Sequence, residues 1–317
     1  MLLYKSYLSS AILLVAFLAH QASSLGQHAP LPEPLAPFET MLSDIDQILP
    51  AVREFESNQL ESLETYRQKI NEAASRNDTE AHDEIIKEAM AQLNLVRVLY
   101  DAALAHHPES ALLHNYYGEF LDDSLGETPA AIRHWTLAST YDKNLSRPYN
   151  NLGIYYFHSG QYELGLINLD KAIKLEKNNP DYLFNLVQMY LIHTPQIEKI
   201  RGWNQKKIYR EAMKHSKRAA ELAPEDFELQ RDYAMNFFIA ERFEVKPKWR
   251  DAAKAWQMAR NAAPQKEDEF MTWLNEGRVR LREKKYAEAV TCLDAALAIN
   301  PDSNAAKTLL EEAKENL

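Results

Sequence analysis

The sequence predicts an all-helical protein: a right-handed superhelical solenoid of antiparallel helix pairs, about five repeats long, with a long helical N-terminal extension. Three observations carry that expectation. Four segments repeat one spacing, in which an Ala or Gly is followed four positions on by a bulky residue and three further by an Ala: Ala131-Trp135-Ala138, Gly165-Leu169-Ala172, Ala252-Trp256-Ala259 and Ala289-Leu293-Ala296. The first two are offset by 34 residues at all three positions, and Leu152 and Tyr156 map onto Leu186 and Tyr190 at the same offset. A period of that size marks stacked helical hairpins rather than one globular core. No stretch sustains an alternation of β-branched and polar residues, so a sheet is not expected.

Offsets of four and seven place all three residues on one helix face, where the small ones let a neighbouring helix approach and the bulky one fills the space beside them. Pro264 and Pro301 follow where a helix cannot continue. The preceding helix of a pair shows in Tyr149-Asn150-Asn151-Leu152-Gly153-Ile154-Tyr155-Tyr156 and again in Leu183-Phe184-Asn185-Leu186-Val187-Gln188-Met189-Tyr190. These residues resemble the tetratricopeptide repeat (TPR) family, whose pattern is Trp-x2-Leu-Gly-x2-Tyr, then Ala-x3-Phe-x2-Ala, then Pro. The fullest copy is Ser146 to Asn179, with Tyr149, Leu152, Gly153, Tyr156, Gly160, Tyr162, Gly165, Leu169 and Ala172 in frame and the closing proline displaced to Pro180. Looser copies run from Ala111, with Tyr117-Gly118 and one extra residue before Ala131, and from Leu183 through Ala212-Ser216-Ala219. Two more hold Tyr233-Ala234 with Ala252 and Trp256, and Trp273-Gly277 with Ala289 and Leu293, where Arg280 takes a place the family gives to an aromatic. The resemblance covers roughly residues 90–303.

From the N-terminus, Lys5, an apolar run from Ala11 to Ala19 and the small residues Ala22-Ser23-Ser24 have the order of a secretory signal, expected over 1–24. The run is shorter than the ~20 residues that span a bilayer, so export with cleavage is expected, to a periplasm or to the outside, and no transmembrane anchor afterwards. An uncleaved segment tethering the chain to a membrane is the alternative. Four prolines at 30, 32, 34 and 37 make 25–38 an extended tether, not a helix. The stretch 39–110 should hold two long helices, Ala51–Ser75 and Thr79–His107, capped at Asp78 or Thr79 and leading into a first, degenerate repeat. Repeats occupy 111–303, and 304–317 forms a closing helix. Two insertions, 193–206 and 241–250, fall between the helices of a pair, and Trp203, Phe243 and Trp249 are their candidate partner contacts beside the simpler reading of loop growth.

A formal net charge of −10 repels nucleic acid, so a protein or peptide partner is expected instead. Six of the eight glycines sit at repeat or turn positions, leaving no Gly-rich loop for phosphates and no expected cofactor. No GxSxG, no recognisable Cys-His pair and no paired-carboxylate loop is present, and no enzyme activity is expected. The lone cysteine, Cys292, reads as a packed thiol, and Asn77 and Asn144 head sequons that matter only in a eukaryotic secretory route. His106, His107 and His114 lack the companions of a metal site and read as helix-end caps facing the C-terminal dipole.

A helix-pair solenoid offers a concave wall of first helices, on which residues one period apart form ladders. One position before the Leu-Gly site stand Asn151, Asn185 and Asn275, with Asp232 and Tyr116 in the other copies. The family resemblance implies that such asparagines hold the backbone of an extended peptide, a task an amide suits because it both donates and accepts. Asn150, Ile154, Phe157, His158, Phe184 and Gln188 would supply side-chain pockets for an uncharged or mixed ligand. The expected function is therefore an exported protein-interaction scaffold. The alternative is an envelope or secretory assembly component that self-associates through repeat ends and a basic run, Lys199, Arg201, Lys206, Lys207, Arg210, Lys214, Lys217 and Arg218.

Overall fold

A computed structural model describes residues 30–317, so the expected signal segment and the first residues of the tether lie outside it. The described residues form fourteen α-helices and two 3-10 helices, with no strand among them. They divide after Leu152 into two compact units, each built of consecutive antiparallel helices.

Unit 1 corrects the expected tether. Glu33–Met41 is a 3-10 helix, because Pro34 sits in its first turn, where a missing N–H costs nothing, and Leu35 is driven into the core. The Glu39 carboxylate accepts from the Leu31 N–H (2.8 Å) and closes the segment on itself. Helix α1, Ile45–Ser75, starts six residues before the predicted Ala51 and runs through Pro50. Asp44 caps it, accepting from the Asp46 N–H at 3.0 Å. Asn77 turns the chain in the left-handed region (φ 53°), which an Asn tolerates better than most residues. Asp78 then caps α2, Thr79–His106, through the Ala81 N–H at 3.1 Å. The α1–α2 pair is pinned at its base by Glu56, which accepts from the Tyr100 hydroxyl (2.5 Å) and Arg53 (2.6 Å).

Helices α3, Ala111–Asp123, and α4, Thr128–Tyr141, form the next pair. They approach so closely that a Cβ on Gly118 would lie 2.5 Å from Trp135 Nε1. His114, expected at a helix end, lies instead in the first turns of α3 and is buried against α4. Its Nε2 meets the Pro108 carbonyl (2.9 Å) and its Nδ1 meets His134 Nδ1 (2.8 Å), while the two rings lie against Tyr117 and Tyr141. An Nε2 that donates to a carbonyl leaves Nδ1 as the acceptor, so His134 donates to it and both rings are neutral. Burial, with repulsion from Arg133 and from His114 were it protonated, pushes His134 down to about 4, and burial lowers His114 too.

A folded-state pKa below the unfolded ~6.5 means that the pair contributes stability above that pH and loses it as the pH falls toward 4. Thermal melts of the full chain should therefore show His134→Phe less destabilised than wild type by acidification from pH 6.5 to 4, the slope differing by roughly 1.4 kcal/mol per pH unit at most. Parallel curves would remove the histidine pair as the cause.

The helix α5, Ser146–His158, contributes its first half to unit 1 and the rest to unit 2. In unit 2 it is followed by α6, Tyr162–Leu175; α7, Pro180–Ile192; α8, Thr194–Arg201; α9, Gln205–Leu222; α10, Phe227–Met235; a 3-10 helix, Asn236–Phe243; α11, Trp249–Asn261; α12, Lys266–Arg282; α13, Tyr286–Ile299; and α14, Asn304–Glu315. The small residues act as predicted: a Cβ on Gly165 would meet the Phe157 ring at 2.5 Å and the Gly153 carbonyl at 3.1 Å. Phe157 thus fills the core and is only 1% exposed.

The two insertions are ordered segments packed on the core of unit 2. The first is the helix α8, which buries Ile197 and ends at Gly202 in the left-handed region (φ 64°), and the second spans the end of the 3-10 helix, the turn after it and the start of α11. Both feed one apolar cluster, in which Ile197, Ala240 and Phe243 meet Ile208, Tyr209 and Ala212 of α9, with Trp203 and Val245 packed on its edge. The exposed contact predicted at Phe243 is corrected to a side chain 1% exposed, stacked on Tyr209 (5.3 Å between centroids). Trp249 is half-buried beside Phe238. Without these aromatics an extra helical turn would bury too little apolar surface to order itself.

Candidate functional site

The nine residues predicted for a groove fall in different surroundings. In unit 1, Asn150 is buried and donates to Asn151 Oδ1 (3.3 Å). Asn151 in turn donates to Glu119 Oε1 (3.1 Å), which also accepts from Asn115 (3.0 Å), while Glu119 Oε2 lies 3.8 Å from Arg147. In unit 2, Ile154 packs half-buried on the core, His158 is exposed and Asn185 is half-buried on α7. Phe157 is lost as a pocket residue, because the ring is consumed by the close approach of Gly165.

The remaining three, Phe184, Gln188 and Asn275, line one cavity of about 560 Å³ in unit 2. Glu228, Arg231, Asp232, Met235, Met271 and Arg278 complete it, so its walls come from α7, α10 and α12, the first helices of three successive pairs. The sequence reading took Gln188 from the rung three positions beyond the Asn ladder but passed over its repeat equivalents, Met235 and Arg278. Offsets of three share a helix face with the Asn position, so the same register would have found them.

The floor is a half-buried acid. Asp232 accepts from Gln188 Nε2 (2.7 Å), Ser216 Oγ (3.1 Å) and Asn236 Nδ2 (2.8 Å), linking α7, α9 and the 3-10 helix. Burial raises its carboxyl above the usual range, and the bonds from Ser216, Gln188 and Asn236 oppose that rise. Its oxygens are thus committed to holding helices. Glu228 is paired with Arg231. Phe184, Met271 and the 44% exposed Met235 supply apolar wall, and Asn275 Oδ1 accepts from Arg278 Nη1 (2.9 Å), which steadies that guanidinium. Such a surface can hold an extended chain through amides and an adaptable thioether wall.

Behind α12 lies a second polar cluster that sequence reasoning did not find. Glu276, 2% exposed, accepts from Gln257 Nε2 (2.7 Å), Arg260 Nη1 (2.8 Å) and Arg280 Nη2 (2.9 Å). Arg280 also reaches Glu283 (3.0 Å) and Glu288 (2.8 Å), and Arg260 lies 3.4 Å over the Trp273 ring. The signal was Arg280 standing where an aromatic belongs.

Family models for the tetratricopeptide repeat match residues 146–179 and 270–303. No curated protein matches the sequence. Among solved structures, the C-terminal part of a TPR repeat-containing protein from Cytophaga hutchinsonii is similar at 17% identity over 83% of this chain and 99% of that one, with a TM-score of 0.53. YrrB, a TPR protein with an unusual peptide-binding site, is similar at 19% identity over 68% of this chain and 97% of its own (TM-score 0.48), and Pseudomonas aeruginosa pilF at 16% over 80% and 99% (TM-score 0.46). The antiparallel pairs, the small-residue contacts and the two family matches agree: the chain carries tetratricopeptide repeats over 146–179 and 270–303, on a fold that supports protein–protein interaction in general.

Proposed function

We propose that this chain is an exported scaffold without catalytic activity that holds a peptide or protein partner along the first-helix wall of unit 2. The observation that carries the reading is the cavity itself: α7, α10 and α12 present Gln188, Met235 and Arg278 at one repeat position, over a floor fixed by Asp232. Export rests on the order of charged, apolar and small residues in 1–24. Among the described residues no helix is long and apolar enough to cross a membrane. The assembly alternative leans on the basic face of α9, where Lys206, Lys214, Lys217 and Arg218 each already face a carboxylate, so the groove supports function better.

The test is selection from a random nonapeptide library displayed between Gly-Ser flanks, using the full chain as bait. Peptides enriched on the wild type should lose at least tenfold in enrichment on Phe184→Asp and keep it on Ile167→Glu, a control at a site 57% exposed. Equal retention on both variants would move the binding surface away from the groove.

A further inference from the structure

Resting on that groove, we infer that its ligand is an internal segment pairing a bulky apolar side chain with a nearby carboxylate side chain. Two features of the cavity, one apolar and one electrostatic, lead to this independently.

The apolar feature is Met235. A thioether 44% exposed on a wall shared with Phe184 and Met271 leaves apolar surface facing water inside a concavity. Met271 backs onto the buried cluster around Trp256, and Phe184 onto that around Leu183, so these two are anchored while Met235 adapts. An unbranched, polarisable side chain between two fixed walls accommodates Leu, Met or an aromatic ring equally well.

The electrostatic feature is an imbalance in pairing. Of the four ionisable groups in the cavity, Glu228 and Arg231 neutralise each other and Asp232 is saturated by three donors. Arg278 has no carboxylate within salt-bridge distance among the described residues; its guanidinium donates to Asn275 Oδ1. That bond orients the guanidinium but does not neutralise it, and four of its N–H groups are left over for a ligand. In a chain of net charge −10, a fixed, unneutralised cation lining a cavity calls for an incoming carboxylate, and a planar fork matches one bidentately. Gln188, the third rung, has committed one amide N–H to Asp232 and keeps its carbonyl for a backbone N–H of the same segment. An internal segment is specified because a cavity walled by three successive helices is open along the ladder and needs no chain end.

The experiment is fluorescence anisotropy of the full chain with acetylated and amidated nonapeptides in a Gly-Ser-Thr background. Each carries a central Leu and, one to three residues to either side, an Asp, an Asn or a Lys. At the best spacing the Asp peptide should bind about tenfold tighter than its Asn counterpart, the size of one charge-assisted hydrogen-bonded contact, and Lys should be weakest. Arg278→Glu, an exposed change whose folding is checked by thermal melting, should invert the order in favour of Lys. Met235→Glu should weaken every peptide. Asp and Asn peptides within twofold of each other, a preference for Lys, or no binding by any probe up to 1 mM would overturn the inference while leaving the groove to the library selection. An Asp preference that survives both substitutions would overturn the groove itself.

Discussion

Replacing Glu276 with alanine should destabilise unit 2 by about 3–5 kcal/mol, because removing the buried carboxylate leaves Arg260 and Arg280, both largely buried, charged and poorly solvated. The cluster is balanced as it stands, with Glu276, Glu283 and Glu288 facing Arg260, Arg280 and Lys285. Glu276 is its centre: it holds Arg260 and Arg280 from opposite oxygens, so its loss frees both guanidiniums at once. Arg280 is then left with Glu283 and Glu288 alone, and its Nε–H is already buried without a partner. Urea denaturation gives the magnitude, and hydrogen exchange gives the place. In a linear repeat array, stability is a sum of local and nearest-neighbour terms, so lost protection should concentrate in α11, α12 and α13. A loss under 1 kcal/mol, or one spread evenly over the unit, would show that the cluster is solvated and weak.

The same cluster shows where the sequence was transparent and where it was opaque. Small and bulky residues at offsets of four and seven predicted the helix pairs because packing there obeys a local rule: Gly165 must be small since Phe157 and the Gly153 carbonyl stand against it. Phe157 was misread as groove-lining because helix periodicity gives a face and not a depth, and its partner lies eight residues away across a turn. Glu276 and Arg280 were out of reach for a related reason. Their pairing with each other is visible at i,i+4, but Arg260 and Gln257 arrive from α11, and only the tertiary contact makes the carboxylate buried.

Composition misled in two places. Prolines 30, 32, 34 and 37 predicted an extended tether, yet a 3-10 helix accepts Pro34 in its first turn, and burial of Leu35 supplies what the hydrogen bond missing at Pro37 does not. The aromatics of the insertions looked like contact residues because the flanking sequence is polar. Their partners, Tyr190, Ile208 and Tyr209, belong to neighbouring helices that no local window contains. The groove was legible as a register, since Asn185, Asp232 and Asn275 share one repeat position. Gln188 was read from that register, and Met235 and Arg278 lay at the same offset of three, but periodicity gives a helix face and does not say where that face opens on a cavity.

Trp256 should separate size from polarity. It is fully buried on α11, and its neighbours Ala252, Ala253, Ala255 and Ala259 are too short to fill the space the indole would vacate. Trp256→Ala therefore leaves a persistent cavity and should cost about 3–5 kcal/mol, toward the upper end of that range. The indole Nε1–H is buried without an acceptor, a penalty the wild type already carries, of about 1–3 kcal/mol for a group of this kind. Trp256→Phe removes that penalty while keeping most of the ring, so its cost in urea denaturation should fall to about 1 kcal/mol or less. Because α11 packs on both α10 and α12, the alanine variant should also weaken capture of library-selected peptides, since Met235 and Arg278 are carried by those two helices. The phenylalanine variant should bind as wild type does. If phenylalanine proves as costly as alanine, the indole N–H is satisfied after all, and Trp256 stabilises unit 2 through a hydrogen bond as well as by filling volume.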